Sequence, residues 1–244
     1  MPLETYFIDR RVESMLKLTN KVLLTIAMLT ALALLESGVA TASDQENTVN
    51  QAISVLDKIM EIPESAIPPS LLSNAYGIAI IPGVIKGAFI FGGRYGEGVL
   101  MVRDSGGGWS NPTFLSIGGG SFGWQIGGQS TDVILVFKSP RSIENIKKGK
   151  FTLGADAAVA AGPVGRRVEG ATDVMLKAEI LSYSRSRGFF AGVSLEGSVL
   201  NILWEDNTAY YGRDSVTVED IFAGRAGSPA SAATLRRTLE KYAP

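Results

Sequence analysis

Arg185-Ser186-Arg187-Gly188-Phe189-Phe190-Ala191-Gly192-Val193-Ser194-Leu195-Glu196-Gly197-Ser198-Val199 decides how this chain folds. Read with a period of two, Phe189, Ala191, Val193 and Leu195 fall on one face. Phe190, Gly192, Ser194 and Glu196 fall on the other, which is the alternation of a strand with one buried face. A helix would also gather Phe189, Val193 and Leu200, but with Gly188, Gly192 and Gly197 in its interior, each costing about 1 kcal/mol against alanine. The strand is favoured, and its glycines mark bends, bulges or close backbone approach in a curved sheet. The same texture extends outward: most of the 28 glycines lie between residues 77 and 197.

The 244 residues are 45% hydrophobic and 19% charged, which suits one globular domain with a sizeable core. The net charge of −1 supplies no global field toward nucleic acid or anionic membranes. Cysteine and histidine are both absent. That excludes a disulfide framework, a cysteine nucleophile, the usual zinc sites and any histidine-based triad. No cofactor or metal is expected.

Residues 1–42 read as an address. Lys17 and Lys21 precede an apolar run from Val22 to Leu35, shorter than the roughly 20 residues that span a bilayer. Ala40-Thr41-Ala42 follows as an A-x-A-like cleavage site, and Met15 is a second candidate start, with a more conventional basic leader. The expectation is an exported protein, periplasmic or secreted and peripheral to membrane, with a single domain over 43–244.

That domain opens with Ser43-Asp44-Gln45-Glu46, a capping-box pattern. Val49, Ala52, Ile53, Leu56, Ile59 and Met60 follow at helical spacing, opposite an acidic polar face, so the helix is expected to dock on the domain's own core. Strands are expected at Ile78–Ile81 (closed by Pro82-Gly83), Ala88–Phe91, Val99–Arg103, Thr113–Ile117, Phe122–Ile126, Val133–Phe137, Phe151–Leu153, Ala157–Ala161, Val174–Tyr183, Gly188–Leu195 and Val199–Trp204. Gly92–Gly98 reads as a turn, Ser139-Pro140 as a helix start, and Ala232, Leu235, Leu239 and Tyr242 as one face of a last helix. The fold class is therefore α+β: a glycine-rich, mainly antiparallel barrel or sandwich with N-terminal and C-terminal helices packed on it.

Catalytic signals are sparse. Gly118-Gly119-Gly120-Ser121-Phe122-Gly123 matches G-x-G-x-x-G, but a dinucleotide site needs a helix next, and Trp124-Gln125-Ile126 reads as strand. Asp132, Asp156, Glu169, Asp173 and Glu196 are scattered carboxylates without another catalytic signature, so an enzyme is not expected. The basic residues are more clustered. Lys138, Arg141, Lys147, Lys148 and Lys150 oppose only Glu144, and Arg166-Arg167 and Arg185/Arg187 add two doublets. Such runs are solvated loops or a converging anion patch, and Phe189-Phe190 would add an apolar insertion. Aromatics do not interleave with these residues, so nucleic acid is not an expected partner.

Ile81-Pro82-Gly83-Val84-Ile85-Lys86-Gly87-Ala88-Phe89, Gly98-Val99-Leu100, Trp109-Ser110-Asn111-Pro112, Gly123-Trp124-Gln125-Ile126-Gly127, Leu153-Gly154-Ala155-Asp156-Ala157, Ala161-Gly162-Pro163 and Arg187–Gly197 occur in the order seen in SYLF domains. The chain closely resembles that family, whose module is also called the actin-binding domain of yeast endocytic proteins, over about residues 48–224. The resemblance implies a non-enzymatic lipid-binding module. Eukaryotic members bind phosphoinositides, in part through an amphipathic N-terminal helix, and some bind and bundle actin. This chain departs from them at Leu71–Tyr76, where many members carry lysines. The expected partner is an anionic phospholipid or membrane surface, with self-association as the alternative. Actin is not expected for an exported chain. The residues expected to meet lipid are Lys147, Lys148, Lys150, Arg166, Arg167, Arg185, Arg187, Phe189 and Phe190.

Overall fold

A computed structural model describes residues 44–61, 66–88, 92–104, 106–121, 129–164, 173–186, 189–192 and 195–243. Helix α1 (44–60) buries Val49, Ala52, Leu56 and Ile59 of the stripe read from the sequence, with Ile53 and Met60 half-buried; it also buries Val55, which that stripe did not include, and leaves Glu46, Asn47 and Lys58 exposed. A short α2 (Pro69–Ser73) leads into four long strands: β1 (Gly77–Ala88), β2 (Gly92–Val102), β3 (Thr113–Ser121) and β4 (Gln129–Phe137). Then come α3 (Pro140–Ile146), β5 (Lys150–Thr152), β6 (Val159–Ala161), α4 (Asp173–Lys177), β7 (Ile180–Ser186), β8 (Phe189–Gly192) and β9 (Val199–Ile202). Helices α5 (Trp204–Tyr211), α6 (Val218–Phe222) and α7 (Ala230–Tyr242) close the chain.

The strands form one sheet in the order β5-β9-β3-β2-β1-β4-β7-β6, with β8 beside the far half of β7. All pairings are antiparallel except β6 with β7. The sheet has to curl. Eight flat strands at about 4.8 Å spacing would hold β5 and β6 about 34 Å apart. The chain from Thr152 to Val159 reaches at most about 25 Å, and it spends part of that in a turn where Leu153 bridges Ala157. A sheet bent toward closure, with α1 and the C-terminal helices packed on it, is the barrel alternative of the expected α+β class; among the described residues there is no second sheet.

Both faces of the central strands are buried, and alternation sorts their side chains. Ile78, Ile80, Val99, Met101, Ile134 and Val136 join the core roofed by α1 and α7. Ala79, Ile81, Leu100, Val102, Val133, Leu135 and Phe137 join a second core with Ile143 and Ile146 of α3, Phe151 of β5 and Val218 of α6. The helical roof is locked by Tyr242, whose hydroxyl donates to Asp57 Oδ1 at 2.8 Å. The α7 end is held at the Ala243 carbonyl, which accepts from Arg103 Nη2 at 2.7 Å and Trp109 Nε1 at 3.3 Å.

Several elements differ from the sequence reading. Pro82-Gly83 does not end β1. From Ile81 to Val84 the strand carries one residue more than β4 opposite it, and from Ile80 to Ile85 one more than β2, so the pair forms a bulge. Proline has no N–H to lose, Gly83 takes φ +60°, and its N–H donates to Asp132 Oδ1 at 3.0 Å. Gly92–Gly98 is strand, not turn. Two glycines there face the bulge: a Cβ on Gly96 would stand 3.0 Å from Val84 Cα, and one on Gly98 2.2 Å from the Ile80 carbonyl oxygen. Gly118–Gly120 likewise lies within β3, pairing with β2. The Val174–Tyr183 strand begins later, at Ile180, after α4; in the link between them Glu179 N donates to Ala158 O, just before β6, and Glu179 O accepts from Lys138 N. Trp204 ends no strand. It begins α5, with Glu205 and Asp206 in the first turn where the helix dipole favours acids. The expected Phe122–Ile126 strand, the leader 1–42 and Ser43 of the capping box lie outside the described residues.

Candidate functional site

The lysine segment runs from the end of α3 into β5. Ser139 caps α3, its hydroxyl accepting from Arg141 N at 3.2 Å, and Pro140 takes the first helical position. Beyond Ile146 the chain turns through Lys147, Lys148 and Gly149 and enters the sheet at Lys150, the register partner of Asn201. The lysines have unequal roles. Lys147 Nζ lies 2.6 Å from Glu144 Oε1 and 5.9 Å from the centre of the Phe222 ring, so it bridges α3 to α6. Lys148 is exposed, with Nζ donating to Asn145 Oδ1 at 3.0 Å, and Lys150 is exposed on the outermost strand.

Between those two exposed lysines stands an aromatic that sequence reasoning assigned to a strand end. Trp204 is 46% exposed, and a Cβ on Gly149 would meet its Cζ2 at 3.6 Å. The backbone places it there, because Ile202 N donates to Gly149 O at 2.9 Å and α5 begins two residues later. The acidic pair Glu205-Asp206 was the signal that a helix, not more strand, starts at Trp204.

Arg185 lies elsewhere on the sheet. It is the register partner of Asp132, its Nη1 is 3.9 Å from Asp132 Oδ2, and both side chains are half-buried. Lys150 and Arg185 are six strand steps apart along the curled sheet. Phe189 and Phe190 form β8, in register with Ser186 and Arg185. Arg166, Arg167 and Arg187 lie outside the described residues.

Other surfaces complete the survey. Ile85 and Tyr95 are register partners and stand 62% and 54% exposed on the sheet face beyond the helical roof. The Tyr95 hydroxyl donates to Glu97 Oε1 at 2.5 Å; that hydrogen bond, then burial and the charges of Glu97 and Asp206, push the phenol up to about 12. A cavity of about 530 Å³ opens beside Tyr76, Ser73 and Asn74. Its Arg103 donates to Gly107 O and Ala243 O and stacks 4.4 Å from the Trp109 ring, so that guanidinium is engaged in holding the fold. Of the carboxylates considered for catalysis, Asp156 accepts from Thr152 N at 2.6 Å and Asp132 holds the bulge, while Glu169 lies outside the described residues. Among the described residues no cluster of acidic side chains could hold a metal ion, and no helix is long and apolar enough to cross a membrane.

The sequence is similar to those of known proteins. A family model described as Ysc84, Las17-binding protein actin regulator, matches residues 118–242. The chain is 38% identical over 183 residues to Protein YSC84 of Saccharomyces cerevisiae, covering 74% of this chain and 39% of that one. It is 40% identical over 179 residues to SH3 domain-containing protein PJ696.02 of Schizosaccharomyces pombe, covering 72% and 41%. It is 35% identical over 206 residues to human SH3 domain-containing YSC84-like protein 1, covering 82% and 60%. The chain thus spans about half the length of these relatives. From the Pro-Gly bulge to the docked C-terminal helix, this chain belongs to the Ysc84 family, the SYLF domains.

Proposed function

We propose that this chain is a non-enzymatic module that binds the surface of anionic phospholipid or a related amphiphile, as an exported protein peripheral to the membrane. The observation that carries the reading is Trp204 standing exposed between Lys148 and Lys150. An indole prefers the boundary between headgroups and acyl chains, and each nearby lysine contributes on the order of 1 kcal/mol at an anionic surface. With a net charge of −1 the attraction is local, and it fades as salt shortens the Debye length to about 10 Å at 0.1 M. Lys147 is committed to Glu144 and Phe222, so the decisive pair is Lys148 and Lys150. Flotation with vesicles of phosphatidylcholine and phosphatidylglycerol is the test. Binding should weaken with salt, with Lys148→Glu/Lys150→Glu and with Trp204→Ser. A double variant that floats like the parent at low salt removes the lysine turn from the mechanism. Export rests on Val22–Leu35 and Ala40-Thr41-Ala42, and N-terminal sequencing of the exported form should begin at or near Ser43.

A second reading is a protein partner of the kind the family description names, an actin regulator's target. The exposed Ile85–Tyr95 pair favours it, since apolar side chains side by side outside the core are the usual centre of a docking surface. Co-sedimentation with filamentous actin, lost on Ile85→Asp, would establish this reading; no pelleting of the parent would dismiss it.

A further inference from the structure

Two buried polar groups have no partner among the described residues, and they flank one glycine. Arg94 Nε and Nη1 are shut off from solvent with no acceptor, and so is the Ser198 hydroxyl. Arg94 is the register partner of Gly119, and antiparallel partners project to the same face. A Cβ on Gly119 would lie 3.1 Å from Ser198 Cα and 3.3 Å from its Oγ, so the hydroxyl stands over the bare side of Gly119, with β3 between it and the Arg94 backbone. Alternation along β2 puts Arg94 on the same face as Gly96, whose side-chain position meets Val84 and Ile81 of the second core. The site therefore lies where that core ends, toward the β1–β2 connection.

Burial lowers the Arg94 pKa, but a guanidinium keeps its proton at any physiological pH. The residue as a whole is half-buried, but its Nε and Nη1 are out of reach of water and no carboxylate among the described residues pairs with them, which costs stability unless something else does. The orphan serine hydroxyl beside it supplies a further donor, and the glycine between them leaves room. We propose that Arg94 and Ser198, over Gly119, bind a phosphate monoester, either free in solution or as the headgroup of an amphiphile. A phosphate group offers several acceptor oxygens, enough to take the arginine N–H groups and the hydroxyl together. This site stands on its own observations and does not depend on the Lys148–Trp204 surface.

The test uses the full chain in a phosphate-free chloride buffer, with two probes: inorganic phosphate by calorimetry, and vesicles of phosphatidylcholine with phosphatidic acid by flotation. Saturable phosphate binding is expected, at least about tenfold weaker in Ser198→Ala and absent in Arg94→Met. Phosphate should also raise the Tm of the parent and not of Arg94→Met. Without phosphate, Arg94→Met should melt above the parent, because it removes two N–H-bearing nitrogens buried without acceptors. Lys148→Glu/Lys150→Glu should bind phosphate like the parent, which separates this site from the surface reading. Binding to phosphatidic acid that requires Arg94, with no response to inorganic phosphate, assigns the site to a headgroup. If the parent answers neither probe, if Arg94→Met and Ser198→Ala bind undiminished, or if Arg94→Met melts below the parent in the absence of phosphate, the proposal is overturned.

Discussion

Replacing Gly98 with alanine tests the bulge that shapes the sheet. The added methyl would stand 2.2 Å from the Ile80 carbonyl oxygen, 2.9 Å from its carbon and 2.6 Å from Ile81 Cα. These are backbone atoms, so no rotamer change relieves the clash, and ordinary contact begins only at 3.4 Å. Relief means prising β2 from β1 next to the Ile80–Val99 pair, where both faces of the sheet are packed. Overpacking of this kind costs about 1–3 kcal/mol, and a ladder hydrogen bond lost to the separation adds about 1. The sum, about 3 kcal/mol, lowers the Tm of a domain this size by about 6–12 °C. Gly118→Ala is the control: it lies on the neighbouring strand, and nothing stands within 4 Å of its Cβ position. Thermal and urea unfolding, followed by circular dichroism and tryptophan fluorescence, read the difference. If the two variants unfold together, the close approach of β2 to the bulge is not what Gly98 provides.

Asn207 is fully buried on α5, accepting from Phe114 N at 2.8 Å and Thr113 Oγ1 at 3.1 Å while donating to Leu203 O at 2.9 Å. Asn207→Leu should cost about 2–3 kcal/mol by orphaning the Phe114 N–H, and urea unfolding within 0.5 kcal/mol of the parent, about the scatter of neutral surface changes, would refute that role. Tyr95 titrates from neutral to charged, and its folded pKa of about 12 lies above the ordinary tyrosine value. Its contribution to stability is therefore intact below about pH 10 and lost as the pH rises to about 12. The phenolate absorbance that disappears in Tyr95→Phe should titrate near pH 12, and Glu97→Gln should move that midpoint down.

The chemistry of the surface was only partly legible in the chain. The lysine run is visible as residues, but which lysines remain exposed depends on Glu144 and on Phe222, a partner on a helix far along the sequence. Trp204 joins Lys148 and Lys150 because β9 pairs with β5 and then bends into α5, a contact that no local pattern contains. Arg94 and Ser198 drew no attention in sequence, since being buried without a partner is a property of the surroundings rather than of a residue.

What the sequence alone determined is the part governed by short-range periodicity. The buried stripe of α1, the doubly apolar β4, the Ser139-Pro140 helix start and the Ala232-Leu235-Leu239 face all follow from side chains that must leave water together. The tertiary structure decided what the punctuation meant. Pro82-Gly83 has the local chemistry of a turn; it becomes a bulge inside a twelve-residue strand only because Asp132, 49 positions away, accepts the Gly83 N–H, and because Gly96 and Gly98 let β2 come close. Curling followed for the same reason. The short link from β5 to β6 draws the ends of the sheet together, and only glycines facing the bulge allow the backbones to approach so closely.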